Sequence, residues 1–322
     1  MSTLSTKAPG SAGGTTGPRT PSGRRRQVRE KQWPAYVFLS PWMIGAGVLT
    51  LLPMAVSLYL SFTDYNLFDP PNWVGLRNYV DLLFEDPRYW RSVGTTLLYV
   101  LVAVPLKLAV ALAVALLLKN LSRGRGFYRS AFYAPSLLGA SMSIALVWRA
   151  LFNDGGTVPN VLAAVGIDTE GWVGNPSLAV FAVVLLTVWQ FGAPMVIFLA
   201  GLQQISPELY EAAGIDGAGA WRKFVSVTVP MLSPVVFFNL VLEIIQSFQV
   251  FTPAFAISGG NGGPADSLNF YTLYLYERGF TASHMGYASA MAWLLLIAVG
   301  VITLIMFRTS RSWVFYAGEE NR

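Results

Sequence analysis

The sequence contains no cysteine and only one histidine, His284. Without thiols there is no disulfide framework, no thiolate metal site and no cysteine nucleophile. A single imidazole supplies little for metal chemistry. Charge is scarce as well: 12% of the 322 residues are charged, whereas 54% are hydrophobic. Soluble domains carry about 25% charged residues, and their cores grow too slowly with size to hide this much apolar surface. The surplus must face lipid. The chain also lacks a G-x-x-x-x-G-K-[ST] loop, a nucleophile elbow and an H-E-x-x-H helix. It therefore has no phosphate cradle of its own and no recognisable hydrolytic constellation.

What the chain has is long apolar runs. A helix needs roughly 20 mostly apolar residues to cross the hydrocarbon layer. Six stretches qualify, at 36–62, 93–118, 131–152, 177–202, 231–257 and 286–307. The first follows basic residues as a signal peptide would. It exceeds a signal h-region in length and no small-residue cleavage site follows it, so it reads as an uncleaved span. The expected fold is an all-α integral membrane protein with six transmembrane helices.

Lys and Arg orient it. Seven precede the first span: Lys7, Arg19, Arg24, Arg25, Arg26, Arg29 and Lys31. The loop after span two holds Lys119, Arg123, Arg125 and Arg129 with no acid, and the loop after span four holds Arg222 and Lys223. Arg308 and Arg311 follow span six. Between spans three and four the charges are Asp154, Asp168 and Glu170, and the loop after span one mixes Arg77, Arg88 and Arg91 with five acids. The positive-inside rule places both termini and the even-numbered loops of this multi-pass membrane protein in the cytoplasm. The basic excess, net +5, then reflects topology and not nucleic-acid binding. Residues 1–32, rich in Gly, Ser, Thr, Pro and Arg, read as a disordered basic cytoplasmic tail.

Polar residues within spans usually face a bundle interior or a water-filled path. Span five carries Asn239, Glu243, Gln246 and Gln249, the first three on one helical face; span four carries Thr187, Trp189 and Gln190 near Gly192 and Pro194. Amides bond hydroxyls in either direction and aromatic faces stack on apolar C–H surface, which together suit a sugar. The same amides could instead join helices by hydrogen bonds. Lys107 and Glu243 lie at equal depth, about 18 Å from the ends of their spans at 1.5 Å per residue. They can pair, or Lys107 can snorkel to the cytoplasm. Arg149 is expected to reach the headgroups.

The loop at 203–230 is the most distinctive segment. Ser206 suits an N-cap, Pro207 the first helical position, and Glu208 and Glu211 the positive end of a helix dipole. Gly214 and Gly217 then interrupt the pattern before an apolar stripe of Trp221, Phe224 and Val225, and Pro230 closes the unit. Two short amphipathic helices joined by a glycine hinge at Gly214 are expected, shaped to fit a partner's groove. The run Glu211, Ala212, Ala213, Gly214, Ile215, Asp216, Gly217, Ala218 resembles the EAA loop of ABC importer permeases. SFTDYN at 61–66 with VGLRNY at 74–79, RGFYRSAFYAPSLL at 125–138, and GGNGGPADSLNFYTLYLYERGF at 259–280 resemble the carbohydrate, maltose-type group, and within it the larger permease partner.

The resemblance implies a type I importer architecture over 33–322. It makes Glu211, Ala212, Ala213, Gly214 and Asp216 the ATPase-coupling set, and Trp189, Gln190, Glu243, Gln246, Ser247, Phe248 and Gln249 the substrate path. It implies a second permease, two ATPase subunits carrying ATP and Mg, and an extracytoplasmic solute-binding protein, with no cofactor or metal on this chain. The expected cargo is a sugar; the alternatives are a polyol, a glycerol phosphate or a peptide. A phosphate would call for cationic anchors that the expected site lacks. A proton-coupled transporter using Glu243 is disfavoured, because membrane carboxylates are nearly absent and no internal repeat is evident.

Overall fold

A computed structural model describes residues 33–121, 123–139, 141–167, 169 and 171–315. The tail at 1–32 lies outside them, as do Asp168 and Glu170. The described residues are helical throughout apart from loops and one isolated bridge, Thr63 to Trp73. Four helices are long and apolar enough to cross a membrane: α1 (Tyr36–Leu60), α2 (Pro87–Lys119), then Ala220–Phe248 and Met285–Ser310. Two bent pairs, Arg125–Leu138 with Met142–Ala164 and Ala179–Trp189 with Gly192–Gln204, raise the count to six if each pair is one span. Counted so, spans three and four are broken where the apolar runs led us to expect continuous helices.

The chain divides into two units, 1–52 and 53–322. In the first, Trp33–Ala46 leads into a π turn at Gly47–Leu51. Trp42, Ile44 and Leu49 are exposed there, as lipid-facing side chains are.

The second unit is organised around α2. Asp86 caps it, accepting hydrogen bonds from the Arg88 and Tyr89 amides, and Pro87 opens it. Its buried positions Val100, Ala103, Val104, Lys107, Leu108, Ala111, Ala115 and Leu118 repeat at three- and four-residue spacing, the stripe of a helix facing a core. Alanines on that stripe let neighbouring helices approach closely. Those neighbours are α3 (Arg125–Leu138), α5 (Ala179–Trp189), α6 (Gly192–Gln204), α8 (Ala220–Phe248) and the short helix Tyr271–Tyr276. Between them in sequence come α4 (Met142–Phe152) and α7 (Pro207–Ile215), followed by α9 (Thr252–Ser258), α10 (Tyr271–Tyr276) and α11 (Met285–Ser310).

A charged cluster ties the start of α2 to the loop before α10, to α10 and the π turn after it, and to the start of α11. Arg88 reaches Asp266 at 3.0 Å and Glu277 at 2.5 Å. Asp86 accepts hydrogen bonds from the hydroxyls of Tyr274, at 2.5 Å, and Tyr287, and Arg278 lies 3.4 Å away. Burial opposes ionisation of Asp86, but these hydroxyls, the Tyr89 amide and the Arg278 charge outweigh it and hold the carboxyl below its ordinary value.

Candidate translocation site

Three helices break at the sequence positions that line one cavity. α3 ends at Leu138, followed by Gly139; α5 ends at Trp189, followed by Gln190 and Phe191; α8 ends at Phe248, with α9 starting at Thr252. The second break is packed tightly against α3. A Cβ on Gly192 would lie 2.5 Å from the Phe132 carbonyl oxygen, so only glycine lets α6 start there. Span four bends by 44° at this break.

Broken helices leave backbone groups that lipid cannot satisfy. Here they are satisfied across the breaks. The Gln190 side-chain amide donates to the carbonyls of Gly139, at 3.1 Å, and Leu186, at 3.3 Å. The Ser136 hydroxyl donates to the Gln190 carbonyl at 2.9 Å and accepts from the Ala193 amide at 3.0 Å. Thr272 donates its hydroxyl proton to the Val250 carbonyl. Discontinuous helices of this kind commonly build a transporter's binding region.

Two cavities flank one polar layer. The first, about 230 Å³, is lined by Tyr99, Thr187, Ser247, Gln249 and Thr252 among others. The second, about 200 Å³, is lined by Ser136, Ala193, Pro194, Ile197 and Asn239 among others. Lys107, Gln190, Glu243 and Gln246 line both. Lys107 and Glu243 form an ion pair at 2.8 Å, with 7% and 6% of their surfaces exposed. Lys107 therefore does not snorkel. The pair closes the alternative left open in the sequence, and the charges offset part of each other's burial cost.

Of the residues expected on the substrate path, Gln190, Glu243, Gln246, Ser247 and Gln249 line the first cavity. Trp189 and Phe248 do not line either cavity. Trp189 packs on Trp148, ring centroids 5.7 Å apart, and Phe248 is buried in the core. Both follow the apolar side of their helices, which hydrophobic packing claims first. Tyr99 and Thr187, which share a 2.7 Å hydrogen bond across α2 and α5, were not among the expected residues. Tyr99 sits in an unbroken apolar run, so only its distant partner marks it. The Arg149 guanidinium lies against Gly259, within 3.2 Å of where a Cβ would sit.

At the other end of the bundle, α7 carries the expected coupling set. Ser206 caps it by accepting the Glu208 amide, at 3.3 Å, and Pro207 takes the first position. Glu211, Ala212, Gly214 and Asp216 are exposed and Ala213 is half-buried. Gly214 is helical, so it is not the hinge. The turn falls at Gly217, whose φ of +74° lies in the left-handed region that favours glycine. The second expected short helix is instead the beginning of α8, which runs on past Pro230. A π turn at Phe224–Thr228 precedes that proline and relaxes the ladder its missing amide would break. Ile215 and Trp221 stand 89% and 76% exposed beside the turn. Tyr210 turns inward from α7 and packs against the core. Its ring lies 4.4 Å from the Lys119 ammonium, and its hydroxyl accepts from Lys119 at 3.3 Å and shares a 3.0 Å bond with Thr228.

Residues 82–312 match the family described as binding-protein-dependent transport system inner membrane component. The probable ABC transporter permease protein YesP of Bacillus subtilis is 46% identical over 298 residues, covering 92% of this chain and 96% of that protein. The arabinooligosaccharides transport system permease protein AraP of the same organism is 32% identical over 301 residues, 91% of this chain and 93% of AraP. Among solved structures, a chain of a bacterial ABC transporter involved in import of the acidic polysaccharide alginate superposes with a TM-score of 0.74 over 87% of this chain and 96% of its own, at 22% identity. This chain belongs to the binding-protein-dependent transport system inner membrane component family, the permeases of ABC transporters.

Proposed function

We propose that this chain forms half of the translocation path of an ATP-driven importer and that its cargo is a sugar. The observation that carries the reading is the polar layer of Lys107, Gln190, Glu243 and Gln246 set between two cavities where three helices break. Its one ammonium is already neutralised by Glu243, so the lining offers amides and hydroxyls, groups that bond sugar hydroxyls as donor or acceptor. Neither cavity reaches the roughly 300 Å³ of a self-sufficient ligand pocket, which fits a path completed by a second permease. The name of AraP, an arabinooligosaccharide permease, supports the same substrate class.

ATP hydrolysis belongs to separate subunits. The exposed face of α7, with Ile215 and Trp221 beside it, is shaped to enter a groove on an ATPase. Closure of two ATPases would draw such helices together and switch the path from inward-open to outward-open, a rigid-body transition with no covalent step. An extracytoplasmic binding protein would then deliver the sugar. The face bearing α7 and both termini is assigned to the cytoplasm by the distribution of Lys and Arg, and the membrane is the inner or cell membrane. Affinity purification of the tagged chain in mild detergent tests the reading. A second permease and an ATPase should accompany it in stoichiometric amounts; a chain that purifies alone contradicts the proposal.

A further inference from the structure

We propose that Tyr210 is a positioning residue that wedges α7 between the ends of the two helices carrying the Lys107–Glu243 pair, so that movement of α7 opens or closes the polar layer. The proposal rests on the permease reading above. Three observations meet in it. First, Tyr210 bonds both to Lys119, the last residue of α2, and to Thr228, in the π turn of α8. Second, Lys107 is on α2 and Glu243 is on α8, and the two close the layer from opposite sides. Third, the depths match to within one helical turn: Lys107 is about 18 Å from Lys119, and Glu243 about 22 Å from Thr228, at 1.5 Å per residue.

The geometry makes a fork. α2 and α8 are its prongs, the ion pair joins them inside, and Tyr210 sits between their cytoplasmic ends. Leu209 also lines a cavity with Val227 and Met231 of α8, but among the described residues no other α7 side chain hydrogen-bonds to α2 or α8. Force applied to the exposed α7 face therefore reaches both prongs together through this one side chain. Helices are stiff over such lengths, so parting their ends moves the pair as well. A separation of about 1 Å at the layer takes the 2.8 Å contact outside hydrogen-bond range. Once released, the carboxylate and ammonium face the cavities and can bond passing hydroxyls instead of each other.

The test uses the full complex in proteoliposomes and reads sugar moved per ATP hydrolysed, a ratio that a merely structural defect in assembly does not change. Tyr210→Phe removes both hydroxyl bonds and keeps the ring; Lys119→Gln removes the cation from the same link. Each should retain the ATPase on purification and lower the ratio about tenfold, the loss expected when about 1.4 kcal/mol of coupling is removed. The double variant should fall no further than either single, because both cut one link. A Tyr210→Phe complex that holds its ATPase and keeps the wild-type ratio overturns the proposal alone, as does a double variant whose losses multiply. A wild-type chain that carries no ATPase overturns it together with the reading it rests on.

Discussion

Replacing Gly192 with alanine tests whether the broken spans are stitched as described. The new methyl carbon would lie 2.5 Å from the Phe132 carbonyl oxygen and 2.7 Å from the Tyr133 Cα. Both are backbone atoms, so no rotamer change relieves the clash, and α6 must move about 1 Å away from α3 to reach ordinary contact. Overpacking of this kind costs about 1–3 kcal/mol. The same movement stretches the Ser136 bonds to Gln190 and Ala193, now 2.9 and 3.0 Å, and about 1 kcal/mol goes with each hydrogen bond lost. The total is about 3–5 kcal/mol, concentrated where the cavities meet. The assay pairs thermal inactivation of the detergent-purified complex with sugar uptake. Gly94→Ala serves as the comparison, since its methyl would meet nothing within 4 Å. Gly192→Ala should lose both stability and uptake while Gly94→Ala keeps both. Wild-type behaviour of Gly192→Ala would show that the breaks are not packed as described.

Other expectations follow from the same geometry. Lys107→Met should leave Glu243 buried and unpaired, destabilising by about 3–5 kcal/mol; adding Glu243→Met should recover most of that in a thermal-melt comparison of single and double variants. Gly217→Val forces a β-branched residue to a positive φ, at about 1–2 kcal/mol, and should reduce ATP-driven uptake while membrane insertion, read by fractionation, stays normal. The Asp86 carboxyl is held below its ordinary value, so its contribution to stability is complete above pH 3.8 and lost as pH falls through the lower folded value. Melting temperatures of Asp86→Asn should therefore lie below wild type at pH 7 and converge with it in strong acid; an equal gap at all pH values would contradict the assignment.

Much of this was readable from residues alone, for identifiable reasons. Hydropathy located the spans because lipid exposure demands long apolar runs. The Lys107–Glu243 pair was foreshadowed by helical rise, since equal depth on two helices is simple arithmetic. Ser206 and Pro207 announced α7 through local capping chemistry. The breaks were not readable. Gly139, Gln190 and Ser136 barely lower the mean hydropathy of their runs, and what makes them breaks is the mutual satisfaction of groups more than fifty residues apart. Gly214 and Gly217 are alike in composition, and only the backbone angle decides which one turns the chain. Trp189 was expected at the sugar site, yet an aromatic next to a polar residue points about 100° away from it around the helix. Trp148 on a different helix then claims it. Tyr99 is the converse case, a residue that looks like core until Thr187 meets it.

The central claim is tested most directly by uptake into proteoliposomes holding the complete complex, its binding protein and trapped ATP, screened with a panel of labelled sugars. The account predicts accumulation of at least one sugar that requires hydrolysable ATP and is indifferent to a collapsed proton gradient. Accumulation driven by a proton gradient without ATP would contradict it.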